Sequence, residues 1–166
     1  NHNNDMLLAK RMVDLATKCG ADAVKFQTFS ADRLVSKGTP KVKYQEASTP
    51  KSQDHYQMIK SLELSFDDHV MLKKYCEGKG ITFISTPYSK YDAEFLESIG
   101  VEMFKTASAD LIDIPLQSFI ASTGKPSIVS VGMATLGEIE ETLQIYSKAG
   151  SPPPVLPQAF GRARCI

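Results

Sequence analysis

Two lysines, Lys25 and Lys105, each interrupt a run that would otherwise be a uniformly apolar strand, beside Val24 and Phe26 in the first case and Met103 and Phe104 in the second. A parallel strand is normally buried on both faces, so a lysine there requires an anionic partner. The strand ends carry small polar groups: Gln27 and Thr28, Ser85 and Thr86, Thr106 and Ser108, and Ser130. Two cations ringed by hydrogen-bond donors suit a phosphate or a carboxylate. One lysine alone would be read as snorkelling to solvent, and one hydroxyl alone as ordinary loop capping. Two lysines at matching strand positions favour the anion site.

The elements that would position these groups follow from periodicity. Asp5 can cap a helix whose apolar residues Leu8, Met12, Leu15, Ala16 and Cys19 recur at three- and four-residue spacing, with Gly20 as the stop. In the strand over 21–28, Ala23, Lys25 and Gln27 share one face while Val24 and Phe26 share the other. Residues 30–53 are rich in Lys, Ser, Thr and Pro and read as a long loop with a short helical turn, the kind of segment that is usually functional or mobile. A short helix follows at Tyr56 to Leu62, and a capping box at Ser65 and Asp68 opens another that Gly78 and Gly80 end. Three tighter strand–helix units come next, with strands at 81–86, 102–107 and 127–131 and helices at 90–98, 114–122 and 135–150. Strand followed by helix thus occurs four times, which predicts parallel strands with right-handed crossovers, and ligand groups gathered at their C-terminal ends. The pairs Glu138 with Thr142, and Glu140 with Glu141, read as a solvated helix face. His69 reads as a packing or surface residue within its helix, and neither it nor His55 makes a metal site.

Composition narrows the classes. The 166 residues carry 19 Lys and Arg against 19 Asp and Glu, a net charge of zero that argues against a nucleic-acid binder. Hydrophobic residues make up 42% and charged residues 23%, enough apolar material for one core. No stretch approaches the roughly 20 uninterrupted apolar residues of a membrane span, and no signal peptide is visible. Three cysteines without Cys-x-x-Cys spacing argue against a disulfide framework or a structural zinc site, so a cytoplasmic, reducing compartment is expected. P-loop, Gly-x-Gly-x-x-Gly and Gly-x-Ser-x-Gly patterns are all missing from the sequence.

The order of motifs is Asn1-His2-Asn3, Val24-Lys25-Phe26-Gln27-Thr28-Phe29, Phe83-Ile84-Ser85-Thr86-Pro87, Phe104-Lys105-Thr106-Ala107-Ser108-Ala109-Asp110, and Gly124-Lys125-Pro126 leading to Ser130-Val131-Gly132-Met133. This ordered set resembles the N-acetylneuraminate synthase family, which also makes legionaminic and pseudaminic acids, and the legionaminic-type branch in particular. The resemblance implies a (β/α)8 TIM barrel that condenses phosphoenolpyruvate with an N-acetylated amino sugar, giving a nonulosonic acid and phosphate, with a divalent metal (Mn or Mg) and a homodimeric assembly. By motif, Lys25 and Lys105 match the lysines that grip phosphoenolpyruvate, with Thr86, Ser108 and Ser130 as hydroxyl donors. Gln27 matches a polar residue near the reacting centre, and Asp110 an acidic position near the sugar hydroxyls where many relatives carry Glu. Gln53 and Tyr56 fall in the segment that resembles the cover over the sugar.

Departures from the pattern set further expectations. Residues 1–150 are expected to form an α/β partial barrel with about four of eight strands, lacking strand 1 and strands 6–8, and 151–166 an irregular Pro-rich tail. The Glu that relatives carry before the Asn-His motif, the two metal-binding histidines and the C-terminal antifreeze-like domain have no counterpart here, so a fragment with impaired catalysis is expected and its metal ligands are not in this sequence. Two other readings stand beside this one: a Schiff-base pyruvate aldolase with Lys105 as nucleophile, and a non-catalytic remnant that associates with an intact synthase through open edges.

Overall fold

The computed structural model describes residues 2–36, 39 and 54–157. Gln53 and Cys165 lie outside the described residues. The elements run α1 (Met6–Lys18), β1 (Ala23–Thr28), α2 (Ala31–Leu34), α3 (His55–Leu62), α4 (Phe66–Lys79), β2 (Thr82–Pro87), α5 (Lys90–Ser98), β3 (Phe104–Thr106), a 3-10 turn (Ser108–Asp110), α6 (Ile114–Ser122), β4 (Ser127–Val129) and α7 (Leu136–Lys148). The chain divides into two compact units, one of residues 1–22 and 28–81, the other of 23–27 and 82–166. No helix among the described residues is long and apolar enough to cross a membrane.

The first unit is helical. Asp5 caps α1 by accepting from the Leu8 amide, as the sequence predicts. The buried face is not the expected one: α1 buries Ala9 and Val13, while Leu8, Met12, Leu15 and Cys19 are exposed. Alanine and valine are compact enough to let a helix backbone approach its neighbour closely, so the small-residue stripe faces α4. There Leu72 and Cys76 are fully buried, and Tyr75 donates to Asp14 of α1, which also pairs with Lys79 at 2.7 Å. Ser65 and Asp68 form the predicted capping box at the start of α4, and Gly80 closes it in the left-handed region at φ 69°, where a side chain would be strained. His69 is fully buried; its Nδ1 lies 2.8 Å from the Ser65 carbonyl and its Nε2 2.9 Å from the Thr28 hydroxyl. The carbonyl can only accept, so Nδ1 carries a proton and donates to it. This makes His69 a packing residue.

The second unit holds the strands. β1 and β2 are neighbours in one two-stranded sheet, and β3 and β4 pair in parallel in another, with Lys105 opposite Ile128 and Thr106 opposite Val129. Within β1 the alternation is as expected: Phe26 turns inward and stacks on Phe83 of β2 at 5.4 Å, while Lys25 and Gln27 share the open face. α5, α6 and α7 cover the strands, contributing Leu96, Leu116, Ile120 and Tyr146 to the core. Pro115 sits in the first turn of α6, where its missing amide costs nothing.

One expectation is corrected in this unit. Thr142 is buried rather than solvated, its hydroxyl facing the Leu111 carbonyl at 3.2 Å and the Glu138 carbonyl at 2.9 Å. The beginning of the Pro-rich segment has no regular element but carries one isolated bridge: Val155 pairs with Ile128 in parallel, donating to the Ser127 carbonyl at 2.9 Å and accepting from the Val129 amide at 2.8 Å. Prolines cannot donate to a ladder, and here the one residue needed as a donor is Val155, between Pro154 and Pro157.

Candidate functional site

The second unit gathers most of the predicted polar groups. Lys105 lies in β3, and the Ser130 amide, just past β4, donates to the Thr106 carbonyl at 3.3 Å, which carries the strand register up to Ser130. The Lys105 ammonium donates to the Ser130 hydroxyl and, at 2.6 Å, to the Thr106 carbonyl. Burial lowers the Lys105 pKa and the nearby charge of Lys25 lowers it further, against a smaller upward pull from Asp110. Lys25 is also lowered by burial, although its side chain keeps an open side to solvent. Desolvation disfavours the charged form, and a like charge nearby adds to the cost. Among the described residues neither ammonium forms a salt bridge with a carboxylate. An anion between them would relieve both penalties at once.

Beside the cations lies an acidic and aromatic set. The Gln27 Nε2 donates to the Tyr88 hydroxyl at 2.6 Å. Tyr88 is raised by burial and by the charge of Asp110. Asp110 ends the 3-10 turn after β3, and burial, then the charge of Asp113, push its carboxyl above the ordinary range while Lys105 pulls it back. One carboxylate oxygen, Oδ2, is buried with no hydrogen-bond partner among the described residues. Lys25, Lys105, Ser130, Asp110, Gln27 and Tyr88 are thus linked by direct hydrogen bonds or by mutual electrostatic influence. Thr86 is buried at the end of β2, and Ser108 opens the turn that ends at Asp110.

Tyr88 escapes a reading by residue type, since it reads as one more aromatic. The available signal was its place directly after Thr86-Pro87, at the same strand end as the other polar groups. Tyr56 belongs to the first unit, where its hydroxyl donates to Asp32 at 2.6 Å and Lys60 bridges Asp32 and Glu63. Gln53 lies outside the described residues. No three His, Cys, Asp or Glu side chains among the described residues come together as metal ligands, so these residues do not fit the divalent metal implied by the sequence resemblance. Cys76 is buried, its thiol pushed up to about 11 by burial, which makes it a poor nucleophile.

This arrangement can hold a small molecule bearing two negative groups and present it to neutral or acidic hydrogen-bonding partners. Comparison with known proteins identifies a family and a fold. A model of the NeuB family matches residues 12–160. The chain is 44% identical over 139 residues to an N,N'-diacetyllegionaminic acid synthase from Legionella pneumophila, covering 84% of this chain and 39% of that protein. It is 38% identical over 151 residues to the N,N'-diacetyllegionaminic acid synthase of Campylobacter jejuni, covering 91% of this chain and 45% of that one. A crystal structure of N-acetylneuraminic acid synthetase from Leptospira borgpetersenii, in complex with citrate, superposes with a TM-score of 0.80 at 32% identity over 94% of this chain and 50% of that chain. The chain therefore spans half or less of the length of each of these proteins. The fold is α/β of the TIM-barrel type, represented among the described residues by four strands.

Proposed function

The chain belongs to the NeuB family, and from that membership we propose that it carries the phosphoenolpyruvate half of a synthase site, in a protein that joins phosphoenolpyruvate to an N-acetylated amino sugar. The observation that carries this reading is the pair of partly desolvated ammonium groups of Lys25 and Lys105, which form no salt bridge with a carboxylate among the described residues and are bordered by the Ser130 hydroxyl.

In the proposed reaction, carbon three of the enol attacks the aldehyde carbon of the open-chain sugar, forming the new C–C bond as the carbonyl oxygen takes up a proton. Water adds to carbon two, and the tetrahedral species breaks its C–O bond to phosphate, leaving the keto group of the nonulosonic acid. Lys25 and Lys105 hold the phosphate and carboxylate, and Thr86, Ser108 and Ser130 supply hydroxyl donors. Gln27, fixed by Tyr88, and Asp110 face the acceptor; an Asp110 carboxyl with a raised pKa is better suited to exchange a proton near neutral pH than an ordinary aspartate. The diacetylated product named for the relatives from Legionella pneumophila and Campylobacter jejuni makes a diacetamido sugar the acceptor we propose for this chain.

Calorimetric titration of the chain with phosphoenolpyruvate tests the reading. Wild type is expected to bind, and Lys25→Ala and Lys105→Ala each to weaken binding by roughly 10- to 150-fold, the worth of a charge-assisted hydrogen bond of about 1.5–3 kcal/mol. Unchanged affinity in both variants would overturn it.

A further inference from the structure

A buried hydrogen-bonded chain leads from α7 through α6 to the turn that carries Asp110. Tyr146 of α7 is 1% exposed and Gln117 of α6 is fully buried. The Tyr146 hydroxyl donates to the Gln117 Oε1 at 3.1 Å, and the Gln117 Nε2 donates to the main-chain carbonyl of Asp110 at 2.9 Å. That carbonyl also accepts from the Asp113 amide at 3.1 Å, so both of its lone pairs are engaged. The next carbonyl, that of Leu111, is met by Thr142 from α7. Two successive peptide groups of one short turn are therefore held by side chains that have no access to water.

From this geometry we infer that Gln117 and Tyr146 are positioning residues that hold Asp110 in the site. A buried amide with a phenol on one side and a carbonyl on the other has one satisfactory orientation, because flipping it would set carbonyl against carbonyl. The phenol is held as a donor, since burial pushes its pKa up to about 12. The chain of bonds opposes a specific motion: Asp110 has a buried carboxylate oxygen without a hydrogen-bond partner among the described residues, beside Asp113, and an unrestrained turn would swing that carboxylate into water. The stake in catalysis rests on the role proposed above for Asp110, whereas the positioning itself does not.

Amide hydrogen exchange of the full chain, read residue by residue by NMR, separates positioning from mere packing. Tyr146→Phe removes one hydroxyl and keeps the ring. The expected result is exchange at the Asp113 amide at least tenfold faster, with the later amides of α6 unchanged, together with a downward shift of the Asp110 carboxyl titration as it reaches solvent. Gln117→Met, which removes the bond to the Asp110 carbonyl directly, gives the same two readouts should the first variant fold poorly. Exchange that rises uniformly through α6 and α7, or an Asp110 titration and Asp113 exchange identical to wild type, overturns the inference. Neither readout needs a ligand, so a wild-type chain that fails to bind phosphoenolpyruvate refutes the proposed function and leaves this test intact.

Discussion

Lys25 and Lys105 each hold a positive charge in surroundings that resist it, and that sets the pH behaviour of binding. With both pKa values below the ordinary lysine value of 10.5, the ammonium forms are lost at lower pH than exposed lysines would be. Phosphoenolpyruvate affinity is expected to fall as the pH rises through those lowered values, and calorimetry across the alkaline range checks it. The same lysines make the unfolded chain the better proton binder between the lowered values and 10.5, so over that window their contribution to stability improves with rising pH even as binding is lost. Asp110 runs the other way. Its raised pKa means the folded chain binds the proton more tightly, so ionising it costs stability, and the cost is complete above the folded value and vanishes below the ordinary value of 3.8. Asp110→Asn is therefore expected to raise the melting temperature at neutral pH, with a gain over wild type that shrinks on acidification. An equal gain at all pH values would show that the carboxylate is not strained by its charge. A Lys105 acting as a Schiff-base nucleophile would be trapped by borohydride with pyruvate; its two hydrogen bonds to Ser130 and Thr106 lead us to expect no mass change.

At the scale of elements, the parts legible in the sequence are those governed by local rules. Period-two alternation separates Lys25 and Gln27 from Phe26 in β1, and Ser65 with Asp68 marks the start of α4 because a capping box is complete within four residues. Ser65→Ala is expected to cost about 1 kcal/mol of stability through the lost cap. The check is a melt of the variant, together with faster exchange at the Asp68 amide. What the sequence could not show depends on partners far along the chain. In α1 the residues Leu8, Met12 and Leu15 recur at helical spacing as well as Ala9 and Val13 do, and spacing alone cannot say which stripe meets α4. Thr142 looked solvated among glutamates because its acceptor, the Leu111 carbonyl, lies 31 residues away. The Gln117 and Tyr146 pair is hidden for the same reason: a Gln inside an apolar helix shows its purpose only once the Tyr146 hydroxyl and the Asp110 carbonyl stand on either side of it.

For the molecule as a whole, the unsettled quantity is the apolar surface that the chain leaves in water. On α1, Leu7 is 70% and Leu15 60% exposed, and elsewhere Met133, Leu136 and Val155 are 77%, 86% and 64% exposed. Scattered apolar residues are ordinary on a protein surface, but Leu7, Leu8, Met12 and Leu15 fall on one helix within nine residues. At roughly 25 cal/mol for each Å² removed from water, a contact that covers such a stripe repays much of the cost of bringing two chains together. The net charge of zero removes the long-range repulsion that would keep copies apart near neutral pH. We therefore expect the chain to self-associate with rising concentration, and the double variant Leu7→Glu with Leu15→Glu to shift it toward monomer. Glutamate is as good a helix former as most and neither site is buried, so the melting temperature should move little. Light scattering on a size-exclusion column over a range of loading concentrations reads the outcome. A mass that rises with concentration in wild type and not in the variant assigns the association to α1; a mass that rises equally in both moves it to the exposed residues around β4, where Met133, Leu136 and Val155 remain. A wild-type mass that stays monomeric throughout would mean that these side chains are tolerated in water at no cost to solubility.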